Sequence, residues 1–181
     1  MQNTELTRLY PSLEIAATLL LDSGLRIAVA ESCTGGLLGG ALTEVSGSSA
    51  YMVGGVIAYD DSVKRSLLSI PDELIREHGA VSEQCARFMA RGVVSLLGSD
   101  IGVSVTGISG PLGGSDAKPV GTTYIGLVAP DVERVERFAW KGNRAENRVR
   151  SVEAALGMVC EYLASRNIDL MKTKGQAKRE E

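Results

Sequence analysis

The sequence predicts an α/β fold: a three-layer α/β/α sandwich around a mixed, mostly parallel sheet of about five strands. Three observations predict it. Short apolar runs alternate with segments of helical period through most of the 181 residues. Late in the chain two strand-like runs follow one another directly, which adds an antiparallel member to the sheet. The 21 glycines cluster in three places, which marks tight loops at a site and not low complexity.

The elements follow in order. Residues 12–22 place Leu13, Ile15, Ala16, Leu19 and Leu20 at helical spacing, and Ser23-Gly24 stops the helix. Residues 25–30, LRIAVA, read as a buried strand. ESCTGG follows at once, and residues 37–45 resume helical period: strand, tight polar turn, helix. SGSS at 46–49 is a loop before a second strand over 50–59, which contains Gly54-Gly55. Residues 60–69 begin a short helix capped by Asp60 or Asp61. Pro71 sits in the first turn of another, which Gly79 ends. Ser82 is the expected N-cap of a helix with Ala86, Met89, Ala90, Val93, Val94 and Leu97 on its apolar face. Residues 101–106 form a strand, 107–121 a long glycine loop and 122–130 a strand. A further strand over 134–140 comes after a turn at Pro130-Asp131. The last helix starts at Gly142-Asn143 and carries Val149, Val152, Ala155, Leu156, Val159 and Leu163. One domain is expected over 1–169 and a fraying polar tail over 170–181, with no repeat and no linker.

Charge and composition exclude several classes. A net charge of −3 carries no basic face for nucleic acid, although one local basic pocket for a phosphate stays compatible. Cys33, Cys85 and Cys160 are far apart, no CxxC occurs, and His78 is the only histidine. That excludes the usual zinc site and argues against disulfides. No metal or cofactor is expected. The N-terminus lacks the basic start and apolar run of a signal peptide, and no uncharged apolar stretch spans a membrane. A cytoplasmic protein without membrane or nucleic-acid partners is the expectation, and a homodimer is the base-rate assembly.

Three segments are able to carry chemistry. Glu31-Ser32-Cys33-Thr34-Gly35-Gly36 lies where a strand ends and a helix begins, where open α/β sheets gather ligands and helix N–H groups favour an anion. Ser32 is then a nucleophile with Cys33 as its rival, or Ser32 and Thr34 merely cap the helix. Only one of residues 32 and 33 is expected to face a ligand. His78, before a helix-ending glycine, fits a surface cap better than a base. Lys64, after the strand ending at Tyr59, is the best-placed alternative base; the plain alternative is a solvated lysine. The second segment runs from Thr106-Gly107-Ile108-Ser109-Gly110-Pro111 to Lys118-Pro119-Val120-Gly121-Thr122, with glycines that let a ligand approach the backbone and prolines that stiffen it. The third is Gly142-Asn143-Arg144: Asn143 caps a helix, and Arg144 binds a phosphate or carboxylate or is a surface arginine.

AESCTGG (30–36), GSSAY (47–51), Tyr59 with Lys64, HGAVSE (78–83), TGISGP (106–111), KPVGT (118–122) and GNR (142–144) occur in this order. Together they resemble the C-terminal domain of the competence/damage-inducible protein CinA, from about Leu13 to Leu163. The resemblance implies an α/β/α sandwich and, in the stand-alone form, an amidase of pyridine nucleotide recycling. That reaction turns nicotinamide mononucleotide and water into nicotinate mononucleotide and ammonia, without metal or organic cofactor. It further implies Ser32 as nucleophile, Lys64 as base, and Tyr59 and Thr106 as polar lining, with Lys64, or Tyr59 beside it, as the catalytic donor of the leaving ammonia's proton. Gly47, Ser48 and Ser49 become a phosphate-contacting segment, and Arg144 lies near the ligand with Gly107 and Gly110 beside it. The backbone N–H groups from Thr34 through Gly35 to Gly36 would hold the oxyanion. Two departures stand out: Asn143 replaces the usual Asp, and Leu112 with Ser115-Asp116-Ala117 alters the glycine loop. The rival expectation is a nucleotide-binding regulatory module without turnover, in which ESCTGG cradles a phosphate.

Overall fold

The computed structural model describes residues 4–177, with side chains through Arg166. Its sheet has the order β2-β1-β3-β4-β5, built from β1 (Ile27–Glu31), β2 (Met52–Ile57), β3 (Ile101–Gly107), β4 (Thr122–Ala129) and β5 (Val132–Ala139). β1 pairs in parallel with β2 and β3, while β4 runs antiparallel to both β3 and β5. β4 is therefore the one reversed strand, and the mixed, mostly parallel sheet follows.

Alternation along β1 sets the layers. Ile27 and Val29 face one side; Ala28 and Ala30 face the other. On the first side pack α2 (Leu13–Ser23), α3 (Leu37–Glu44) and α7 (Arg144–Ala177), with Leu20, Leu38, Leu42, Val152 and Leu156 in one core. On the second pack α4 (Asp61–Leu68), α5 (Asp72–His78) and α6 (Glu83–Leu97), with Leu68, Cys85, Met89 and Val93. β1 is buried along its whole length, as its apolar run requires.

Local chemistry explains the boundaries. Gly24 ends α2 and Gly98 ends α6, both left-handed at φ 67° and 63°. Ser82 accepts the Cys85 N–H at the start of α6, and Asp60 accepts the Ser62 N–H at the start of α4. Asn143 caps α7 by accepting from Ala145 and Glu146, so its replacement of an aspartate costs no cap. Pro71 is the N-cap of α5 and stands just before its first turn.

Four details differ from expectation. A short α1 (Glu5–Leu9), capped by Thr4, precedes α2. A single 3-10 turn over Ser48–Ala50 replaces plain loop before β2. Pro130-Asp131 is a two-residue hairpin turn, so β5 begins at Val132 and not at residue 134. Ile15 is exposed, because α2 turns Leu13, Ala16, Ala17 and Leu20 inward. The backbone of α7 continues through residues 170–177, and residues 178–181 of the expected tail lie outside the described residues. Among the described residues no helix is long and apolar enough to cross a membrane.

Candidate active site

The carboxyl ends of β1 and β3 lie side by side, and the β1 connection leaves on one face of the sheet while α6 packs on the other. Above them opens a cavity of about 280 Å³, lined by Ser32, Cys33, Tyr59, Asp61, Lys64, Thr106 and Arg144 with the 107–110 backbone. Ser32 follows β1 directly; its N–H donates to Val105 O (2.9 Å), which ties the turn to β3. Its side chain is nearly buried, with 9% of the residue exposed at the cavity.

Lys64 is not a solvated lysine. It is 1% exposed, on the inward side of α4, and its Nζ donates to Asp61 Oδ1 (3.0 Å) and Tyr59 O (3.2 Å). These two contacts leave one direction at Nζ free, for a third N–H in the ammonium or the lone pair in the amine. Asp61 was not anticipated as its partner, although the i,i+3 spacing on a helix was there to read. The opposite wall carries Arg144 at the start of α7. Its guanidinium donates to Gly110 O (2.9 Å) and to Tyr59 Oη (3.3 Å), bridging the glycine loop to the end of β2. Thr106 Oγ1 donates to Ala80 O (2.7 Å) and fixes the loop before α6.

The glycine loop is anchored at several points. Ile108 N–H donates to Thr122 O, Gly121 N–H donates to Ile108 O, and Lys118 Nζ reaches His78 O (2.6 Å). Leu112, the bulky departure, is 85% exposed at the cavity mouth.

Ser32, Lys64, Tyr59, Thr106, Gly107, Gly110 and Arg144 thus converge on one cavity. Other expected site residues do not. Ser48 and Ser49 line a separate groove of about 530 Å³ bounded by α3, β1 and β2, and Gly47 lies beside them at the start of the 3-10 turn. Val29, Glu31 and Gly36 also line that groove, whereas Ser32 does not. Thr34, Gly35 and Gly36 do not line the cavity either. The expected oxyanion role of their N–H groups needs correction: Gly35 N–H donates to Ser32 O (3.1 Å) and Gly36 N–H to Glu31 Oε2 (3.0 Å). Thr34 is fully buried, and its carbonyl accepts from Arg148 (2.7 Å).

Cys33 also touches the cavity, against the expectation that only one of residues 32 and 33 would. Burial pushes its thiol pKa up, despite the lowering effect of Ser109 beside it, so the neutral thiol is favoured.

The model of the CinA C-terminal domain matches residues 11–163. A CinA-like protein of Citrifermentans bemidjiense is 49% identical over 152 residues, which are 83% of this chain and 36% of that protein. One of Chlorobaculum tepidum is 49% identical over 148 residues, 79% of this chain and 35% of that protein. The chain thus spans about a third of the length of the curated relatives it matches. Among solved structures, a competence-damaged protein (CinA) superfamily protein from Klebsiella pneumoniae superposes with a TM-score of 0.83 at 32% identity, covering 87% of this chain and 98% of that one. A competence/damage inducible protein from Agrobacterium tumefaciens gives a TM-score of 0.80 at 38% identity, covering 84% and 95%.

Proposed function

Because the chain belongs to the CinA C-terminal domain family, we propose that it is an amidohydrolase converting nicotinamide mononucleotide to nicotinate mononucleotide and ammonia. One observation carries this reading: the hydroxyl of Ser32 and the amine of Lys64 line the same cavity, the lysine buried and held by Asp61 and Tyr59 O.

In the proposed reaction, neutral Lys64 takes the proton of Ser32 as Oγ attacks the carboxamide carbon. The carbonyl π electrons move onto oxygen, and the new ammonium of Lys64 offsets that charge. The C–N bond then breaks as Lys64 returns its proton to nitrogen, and ammonia leaves. Water attacks the acyl-enzyme with Lys64 again as base; the intermediate then collapses, the C–Oγ bond breaks as Lys64 returns the proton to Ser32 Oγ, and nicotinate mononucleotide leaves. Tyr59 and Arg144 orient the nucleotide. Arg144 and Lys64 are the two cationic side chains of the cavity wall, and Lys64 is engaged at the reacting end. The substrate phosphate is therefore assigned to Arg144 and not to Ser48 and Ser49.

Incubating the protein with nicotinamide mononucleotide and assaying ammonia tests the reading. Binding without ammonia release overturns it in favour of a nucleotide-binding module. The specific form of that rival, a phosphate cradled by ESCTGG, has no support in the geometry, because a carboxylate already occupies the helix start.

A further inference from the structure

We propose that Glu31 is a positioning residue for Ser32: its carboxylate is a built-in anion on the first turn of α3 and fixes the turn that displays the nucleophile. The proposal rests on the amidase reading above.

Glu31 continues the parity of Ile27 and Val29 along β1, so its side chain enters the layer of α2, α3 and α7. An acid in that position of a buried strand is anomalous, since a buried carboxylate is tolerated only when paired or hydrogen-bonded. Its partners are backbone donors. Oε2 accepts from Gly36 N–H (3.0 Å) and Leu38 N–H (3.1 Å), and Oε1 accepts from Gly39 N–H (2.8 Å). These are N–H groups that an α-helix leaves unpaired at its start. Gly36, the N-cap at φ 95°, has no side chain to satisfy them. Glu31 does so from five residues upstream, across the turn that carries Ser32.

The rest of the turn is pinned in complementary directions. Ser32 N–H is held by Val105, Ser32 O by Gly35, and Thr34 O by Arg148 of α7. With those backbone groups engaged, the Ser32 side chain, with Cys33 next to it, is what the turn presents to the cavity. Glu31 thereby shapes the site without touching substrate. It also keeps a substrate anion away from α3, in agreement with a phosphate at Arg144.

The test uses the full-length chain with Glu31→Gln and Glu31→Ala, measuring kcat and KM for ammonia release from nicotinamide mononucleotide together with Tm. Misplacing a reacting group by about 1 Å costs roughly a hundredfold, so kcat of Glu31→Ala falls by about that factor while KM stays near the wild-type value. Formate, a small carboxylate, fills the vacated position: it raises both the kcat and the Tm of Glu31→Ala and leaves the wild type unchanged. Glu31→Gln preserves the shape and loses an acceptor, and its lowered kcat decides the matter if the alanine variant fails to fold. Wild-type kcat in these variants overturns the proposal. So does a loss of activity that only parallels a loss of Tm and does not respond to formate. A wild-type protein that releases no ammonia overturns the amidase reading and Glu31's catalytic purpose with it; an active wild type with normal variants overturns only the latter.

Discussion

Three side chains carry most of the proposed chemistry, and each has a distinguishable failure. Ser32→Ala removes the nucleophile, so ammonia release should fall by several orders of magnitude, on the order of 10⁶, with the circular-dichroism spectrum unchanged. Lys64→Met should lower kcat far more than it raises KM; the reverse split would recast Lys64 as a substrate-binding group. Arg144→Ala should act the other way, raising KM by about ten- to a hundredfold for the loss of a charged hydrogen bond worth about 1.5–3 kcal/mol. Much of this was legible in the chain. The resemblance marked Ser32, Lys64, Tyr59, Thr106 and Arg144, and they meet in one cavity. Position along the chain does not reveal which loops share a cavity: Ser48 and Ser49 line a groove other than the one that holds Ser32, with Gly47 beside them. Nor does it reveal which N–H groups are already occupied. The donors of Gly35 and Gly36 looked free until the turn was seen to fold back on Glu31 and Ser32.

Helix and strand boundaries were legible wherever a side chain dictates them. Asp60, Ser82 and Asn143 cap α4, α6 and α7 as their type and position require. Boundaries set by tertiary contact were less so: β5 starts early because the hairpin pairs Ala129 with Val132. Two predictions belong here. Ser82→Ala removes the acceptor of the Cys85 N–H and should cost about 1 kcal/mol, read as a lower denaturation midpoint with an unchanged m-value. Gly102→Ala should cost more. A methyl group on Gly102 of β3 would run into the Ala90 carbonyl and Val94 of α6, forcing helix and sheet apart. Overpacking of that kind costs about 1–3 kcal/mol, measurable by the same denaturation.

At the level of the whole molecule, stability should be sensitive to alkali. Burial pushes the Cys85 thiol pKa from 9.0 to about 11. Burial and a hydrogen bond to Asp131 push the Tyr162 phenol up to about 12. For an acid whose folded pKa is raised, the folded state holds its proton longer than the unfolded chain. The resulting stability is fully present below pH 9 and is lost as pH climbs through the folded values. Cys85 alone accounts for on the order of 2–3 kcal/mol of that loss. Tm should therefore decline between about pH 9 and pH 12, and Cys85→Ala should flatten the first part of the decline in a calorimetric pH series.

The single reversed strand has a consequence for how such a protein varies. β3 exits and β4 enters at the same edge of the sheet, so the chain joining them must cross the mouth of the cavity. Pairing of Gly107 with Thr123 fixes the hairpin below that crossing. Residues inserted or removed beyond Gly110, around Leu112 and Gly113, lengthen or shorten a roof while the 107–110 wall keeps its hold on Arg144. The scaffold thus offers a place where the choice of substrate can drift while the reacting groups stay still.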